Sequence, residues 1–464
     1  MLTNEEEIKM TGFLKVLIDF VSEPAVLVGI IVLIGLLLQK KSVDVVIKST
    51  LKAMVGFVVI SAAAGVIVGS LEPFGVMFEH GFNISGVIPN NEAVVAMAID
   101  EFGTATALIM AFGMLANIII ARFTKFKYIF LTGHHTLFMA CMIAVILASA
   151  GMNGVQLIFT GSLSLGLIMV LSPAILQPFM KKITKNESVA LGHFSGVGYA
   201  LAAVIGKVVG GDSKSTEEMK VPKSLSFLRD SVVSVSLTML ILYVIVAVAA
   251  GPEFVETKIS NGDNFLVFAL TQALTFAAGF ILIQNGVRLV LNEIVPAFKG
   301  ISSKLVPNSK PALDCPVVFP YAQNAVLIGF ICSFLGGVVS MIVLGALGLV
   351  VIIPGVVPHF FTGATAAVFG NSTGGRRGAI IGSFVNGILI SILPVALLPV
   401  LGNLGFANST FSDADFGIVG IFLGKVQEFV GGTGLTITLV LIFVVMIVIS
   451  SITKKKGTKE EASL

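Results

Sequence analysis

The chain has 464 residues, of which 56% are hydrophobic and 12% charged, with a formal net charge of +3 and a mean hydropathy of +1.01. A soluble protein of this length covers its surface with roughly 25% charged residues, so this composition excludes a soluble domain and implies a chain embedded in lipid. No polybasic tract points to nucleic acid.

The amino end, MLTNEEEIKM, is acidic where a secretory signal would be basic; no cleavable signal is expected, and the first span stays as a membrane helix. Stretches of about 20 mainly apolar residues, long enough to span, follow near 24–39, 53–70, 104–121, 128–149, 155–178, 229–250, 264–288, 322–348, 379–402 and 433–452. Segments 189–209 and 349–370 mix Gly, Pro, His and Lys among apolar residues and read as broken or half-helices. The expectation is an all-α polytopic membrane protein with about 10–11 transmembrane helices plus re-entrant segments. Its 49 glycines suit close helix packing in a bilayer.

Basic residues set the orientation. Lys40, Lys41, Lys48 and Lys52 follow the first span, Arg122, Lys125 and Lys127 the third, and Lys181, Lys182 and Lys185 the fifth; these loops are placed inside. The stretch 71–101 holds four glutamates and Asp100 without Lys or Arg, and is placed outside.

An internal repeat then emerges. Gly56-Phe57 matches Gly279-Phe280, and Pro73 matches Pro296 in the same register. Each stretch leads to a Gly-rich turn (84–86 and 300–302), an acid (Asp100 or Asp314), and an element read as Thr132-Gly133 or Thr362-Gly363. The charge pattern sends the two copies through the membrane in opposite directions. Residues 1–226 and 227–453 are therefore expected to form two inverted repeats, followed by a cytoplasmic tail at 454–464. Inverted repeats place a transported solute between the halves near the bilayer midplane.

Ionisable groups inside spans are costly and carry a functional reading by default. Asp314 sits among Pro311, Pro316 and Pro320, a density that breaks a helix. Asp314 and Asn324 are candidate ligands for a polyhydroxylated substrate; the other reading of Asp314 is a cap on a re-entrant helix. His134 and His135 follow Thr132-Gly133, and His193 follows Gly192; each can hydrogen-bond substrate hydroxyls or pack at a span end. No metal spacing is visible, and no nucleophile constellation or P-loop. No catalytic residue, metal or cofactor is expected. Arg288 and Glu293 read as residues snorkelling at a span end, Asn371–Arg377 as a turn, and Cys141, Cys315 and Cys332 as buried free thiols.

Four stretches, FLTGHH at Phe130, LGHF at Leu191, LDCPVVFPYAQNAV at Leu313 and IIPGVVPHFFTGATAAVFG at Ile352, together resemble the membrane component (IIC) of the ascorbate-type phosphotransferase system, the SgaT/UlaA group. The resemblance implies a bacterial inner-membrane, multi-pass homodimer with a scaffold (V-motif) domain and a mobile core that moves as an elevator. It implies import of L-ascorbate, or a related sugar acid or polyol, with phosphorylation by a separate IIB protein that is charged by IIA. The pocket positions carried over are Ser61, Ala63, Asn91, His134, Met139, His193, Phe194 and Asp314. His134, His193 and Asp314 keep the family's residue types. A family glutamine appears as Phe138 or Met139, another as Phe194, a Gln-Ala-Gly-Ser run as Ser61-Ala62-Ala63-Ala64, and a threonine as Asn91 with Glu92 beside it. An ion-coupled secondary transporter using Asp100, Glu101 or Asp314 is the competing expectation; a channel is disfavoured for want of a filter-like segment.

Overall fold

A computed structural model describes residues 24–83, 86–219, 231–402 and 409–461, apart from scattered side chains within them. In chain order it places α1 (Pro24–Leu38), α2 (Val43–Phe82), β1 (Gly86–Pro89), α3 (Asn91–Phe123), β2 (Tyr128–Phe130), α4 (Gly133–Ser149), α5 (Gly154–Thr184), β3 (Ala190–Leu191) and α6 (Gly196–Val209). The second half holds α7 (Ser231–Ala250), α8 (Phe265–Leu305), β4 (Lys310–Leu313), a 3-10 helix (Cys315–Tyr321), α9 (Gln323–Ala346), β5 (Val351–Ile352), α10 (Val356–Leu397), β6 (Ser409–Thr410) and α11 (Ala414–Glu461).

Among the described residues, six helices are long and apolar enough to cross a membrane, or seven if the bent pair Val235–Ala250 and Pro252–Ile259 is one span. Shorter apolar helices cover Val28–Leu38, Gly133–Ser149 and Gly196–Val209. The chain is an all-α polytopic membrane protein. Several apolar stretches resolve differently from the sequence reading because they share one element or stop short. Stretches 349–370 and 379–402 lie largely in the two arms of α10, bent at Gly374 and at Gly375, whose φ of 57° favours glycine. Stretch 189–209 becomes a two-residue strand and a 14-residue helix. The outer arm of α11 is mostly unburied and apolar, as a lipid-facing helix should be.

Helices α1, α2, α7 and α8 pack on one another as one group; α3, α4 and α5 form a second cluster that touches the first chiefly through α3 and meets the stack of α6, α9 and α10 through α11 and the α5–α6 contact. The first group is organised by the crossing of α2 and α8. A Cβ at Gly56 would lie 2.9 Å from the backbone nitrogen of Val290, and one at Gly279 would lie 2.7 Å from Cγ1 of Ile67. Each glycine thus meets the residue eleven positions beyond its counterpart on the other helix. The matched Gly56 and Gly279 are the two close-approach points of one crossing, and Pro73 and Pro296 both lie inside these helices.

Two small parallel sheets join the halves of the chain. One has the order β5-β1-β6 and the other β2-β4-β3. Each takes one strand from one half and two from the other. Every strand is short because each is followed, within a few residues, by a helix or 3-10 turn.

This order changes two of the repeat's correspondences. Asp314 directly follows β4, and the residue that directly follows β1 is Asn90; Asp100 stands ten residues into α3 on its exposed side. Thr132-Gly133 are the N-cap and first residue of α4 after β2, where Pro354-Gly355 lie between β5 and α10; Thr362-Gly363 are inside α10. The turn expected at 300–302 falls within α8.

Candidate functional site

All six strand-to-helix junctions converge on one cavity of about 240 Å³. The first contributes Asn91 and Glu92, the second His134, His135 and Phe138, and the third His193. From the other half come Asp314 and Pro316 after β4, Val357, Pro358 and Phe361 after β5, and Ser412 and Asp413 after β6. Arg288 of α8 completes the lining. Helix N-termini present unpaired N–H groups and a positive dipole end, so broken segments gathered at membrane depth make a polar chamber where lipid would forbid one.

Asp314 is the centre of one cluster. One of its oxygens accepts the Cys315 N–H at 2.7 Å, so it does cap the 3-10 helix, and it also faces the cavity. His134 Nε2 stands 3.5 Å from Asp314 Oδ2 and His193 Nε2 stands 3.9 Å from Oδ1. The same side chain meets the cap reading and lies at the cavity, where the site reading would put it. Behind His193, the buried Tyr199 hydroxyl lies 2.7 Å from Nδ1. With the hydroxyl donating, Nε2 carries the proton and faces Asp314. The Phe194 N–H donates to His135 Nδ1 at 3.3 Å, which likewise leaves the proton on Nε2 of His135.

The second cluster was not legible in the sequence. Asn91 Nδ2 donates to Asp413 Oδ2 at 2.8 Å, and Asn91 Oδ1 accepts the Ser412 N–H at 2.9 Å. Asn91 lines the cavity, but it also ties the start of α3 to the start of α11. Asp413 is only 4% exposed and takes a further hydrogen bond from the Ser412 hydroxyl at 3.3 Å. Two residues on, Asp415 accepts the N–H groups of Gly196 and Val197 and the hydroxyl of Ser172. Helices α6 and α11 therefore meet N-terminus to N-terminus around a carboxylate. The one available signal was a short polar break, Ser412-Asp413-Ala414-Asp415, between apolar stretches of the second half.

Of the positions expected at the pocket, His134, His193, Asp314 and Asn91 come together at the cavity. Met139 is fully buried one residue beyond the cavity-lining Phe138. Phe194 is buried behind the cavity, its ring stacked 4.5 Å from Phe130. Ala63 is buried within α2 and away from the cavity lining; Ser61 lies outside the described residues. Asn324 is not at the cavity: its amide donates to the carbonyls of Thr216 and Met219, and Glu217 accepts its N–H at 2.9 Å. Arg288, read from sequence as a snorkelling residue, lines the cavity. Cys141 and Cys315 are buried free thiols and Cys332 is half-buried.

His134, His135 and Asp314, and separately His193, Asp314 and Cys315, bring ligand-type atoms within 4.8 Å of one another. A transition metal needs an unprotonated ring nitrogen or a thiolate. Nδ1 of His135 accepts the Phe194 N–H, which leaves its Nε2 a donor, and with the Tyr199 hydroxyl donating to Nδ1 of His193 the same holds for His193. Cys315 is fully buried. The set suits hydrogen bonding to hydroxyl groups better than metal ligation.

A family model described as the PTS system sugar-specific permease component (EIIC-GAT) matches residues 19–415. The chain is also similar to the ascorbate-specific PTS system EIIC component of Mycoplasma pneumoniae, with 26% identity over 439 residues, which covers 82% of this chain and 66% of that protein.

Proposed function

The chain belongs to the family of sugar-specific permease components of the phosphotransferase system, and from that premise we propose that it carries L-ascorbate or a related sugar acid or polyol across the bacterial inner membrane. In this reading a separate IIB protein, charged by IIA, phosphorylates the substrate as it is released. The observation that carries it is the convergence of six strand-to-helix junctions on one cavity, with His134, His193 and Asp314 facing inward. Imidazole N–H groups and a carboxylate supply both donors and acceptors for a ring of hydroxyls.

The exchange of strands between the halves and the reciprocal crossing at Gly56 and Gly279 support two inverted repeats, 1–226 and 227–453, with 454–464 as a cytoplasmic tail. The grouping of α1, α2, α7 and α8 around the α2–α8 crossing, with the cavity lined from the other helices except at Arg288, supports an elevator in which the first group is the fixed scaffold. A homodimer joined through that scaffold is part of the same reading.

The test is uptake into vesicles holding the purified protein. Accumulation of phosphorylated substrate only when phosphorylated IIB is supplied supports the reading. Accumulation of free substrate on an ion gradient without IIB overturns it in favour of a secondary transporter.

A further inference from the structure

Thirteen of the residues lining the cavity come from strand-to-helix junctions; Arg288 alone comes from α8, on the scaffold side. It is also the one Lys or Arg in the lining. A guanidinium is a permanent cation, and the exposed Arg288 side chain borders the cavity, where it is open to an anion that enters. Among the described residues, no ion pair or hydrogen bond holds it. The cavity's own carboxylates are mostly engaged elsewhere. Asp314 faces His134 and His193 and caps Cys315, and Asp413 is held by Asn91 and Ser412. Glu92 is the remaining acid.

We propose that Arg288 is a specificity-determining residue that binds the negative charge of the substrate, so that the cavity selects an anionic sugar derivative over the neutral polyol of the same size. This rests on the permease reading and narrows it. A guanidinium gives a planar, two-pronged donor that matches a carboxylate or an enolate pair, while the histidines and Asp314 read the hydroxyls. Charge recognition by a site built for it separates analogues far more sharply than an apolar wall does. Because Arg288 belongs to the other helix group, the contact bridges scaffold and core.

The test measures binding to the purified full chain in detergent, using L-ascorbate and matched pairs of an aldonate and its alditol: gluconate with glucitol, xylonate with xylitol. The wild type is expected to favour the anion of each pair. Arg288→Gln should weaken anion binding about tenfold or more and leave alditol binding unchanged, with Arg288→Lys recovering part of the loss. Glu92→Gln separates the alternative in which Arg288 only neutralises Glu92: under the proposal it keeps or strengthens anion binding, and if it instead reproduces the Arg288→Gln loss the proposal is overturned. Equal weakening of both members of a pair by Arg288→Gln, or of neither, also overturns it. If the wild type binds none of these compounds and shows no IIB-dependent uptake, the permease reading itself falls, and this inference with it.

Discussion

The carboxylate of Asp415, in the first turn of α11, accepts the backbone N–H of Gly196 at 3.0 Å, in the first turn of α6. The same side chain takes the Val197 N–H at 2.9 Å and the Ser172 hydroxyl at 2.8 Å. A helix only 14 residues long whose N-cap and first residue, Ser195 and Gly196, are buried in protein has no water to satisfy its first N–H groups. Asp415 supplies that satisfaction from the opposite half of the chain. Asp415→Ala is expected to cost about 2–4 kcal/mol, since it strands buried donors, with Asp415→Asn costing less because one acceptor oxygen remains. Thermal unfolding of the purified protein measures this, and an unchanged melting temperature for the alanine variant would remove Asp415 from that role.

In the proposed function His193 and Asp314 contact the substrate, so their loss should show in binding before it shows in folding. Asp314→Asn and His193→Ala are each expected to weaken substrate binding about tenfold or more while the protein keeps its chromatographic behaviour. Unchanged affinity in both variants would take these residues out of the site.

Tyr199 is a positioning residue. With its hydroxyl donating to Nδ1 of His193, it holds the ring in the tautomer whose Nε2–H faces Asp314. Tyr199→Phe removes one hydrogen bond, worth about 1 kcal/mol net, so about fivefold weaker binding is expected. A purely structural tyrosine would leave the imidazole alone. With only five histidines in the chain, nitrogen-15 histidine spectra can read the His193 tautomer directly, and a spectrum identical to wild type would refute the assignment.

The two glycines of the α2–α8 crossing should tolerate a methyl group unequally. At Gly56 the added Cβ meets backbone, 2.8 Å from the Gly286 carbonyl oxygen and 2.9 Å from the Val290 nitrogen. At Gly279 the nearest atoms are side-chain carbons of Ile67 and Val66, with the nearest backbone atom, the Ile67 nitrogen, at 3.4 Å, so side chains and not the facing backbone must give. Gly56→Ala is therefore expected to destabilise by about 1–3 kcal/mol, the cost typical of overpacking, and Gly279→Ala by clearly less. Equal melting temperatures for the two variants would contradict this geometry.

The legible part of this molecule was whatever depends on composition or on short local patterns. Lipid-facing helices announce themselves through hydropathy, and the Gly-His pairs at His134 and His193 and the proline-rich break at Asp314 mark where helices stop. The Gly56 and Gly279 match was visible because both helices obey the same close-packing constraint. What stayed hidden depends on contacts between distant segments. Asp413 became a site residue only because Ser409 and Thr410 pair with Ile88 and Pro89, bringing Asn91 within reach across more than 300 positions. That Arg288 borders the cavity was hidden for a related reason: a cation near a span end looks the same whether it reaches a headgroup or a chamber. Asn324 was misassigned because its amide turns toward the segment around Thr216, which no local pattern foretells.

The two small sheets also constrain how the molecule comes into being. The strand Gly86–Pro89 finds its partners at Val351–Ile352 and Ser409–Thr410, so it is synthesised long before anything exists to pair with it. Its backbone N–H and C=O groups must wait in the translocation machinery, at the bilayer surface or in a provisional arrangement, because hydrocarbon will not accept them unpaired. Lys310–Leu313, by contrast, emerges to find Tyr128–Phe130 and Ala190–Leu191 already made. Neither half can complete its own architecture. The cavity cannot be complete until Ser409 and Thr410 have been made and have paired with Ile88 and Pro89.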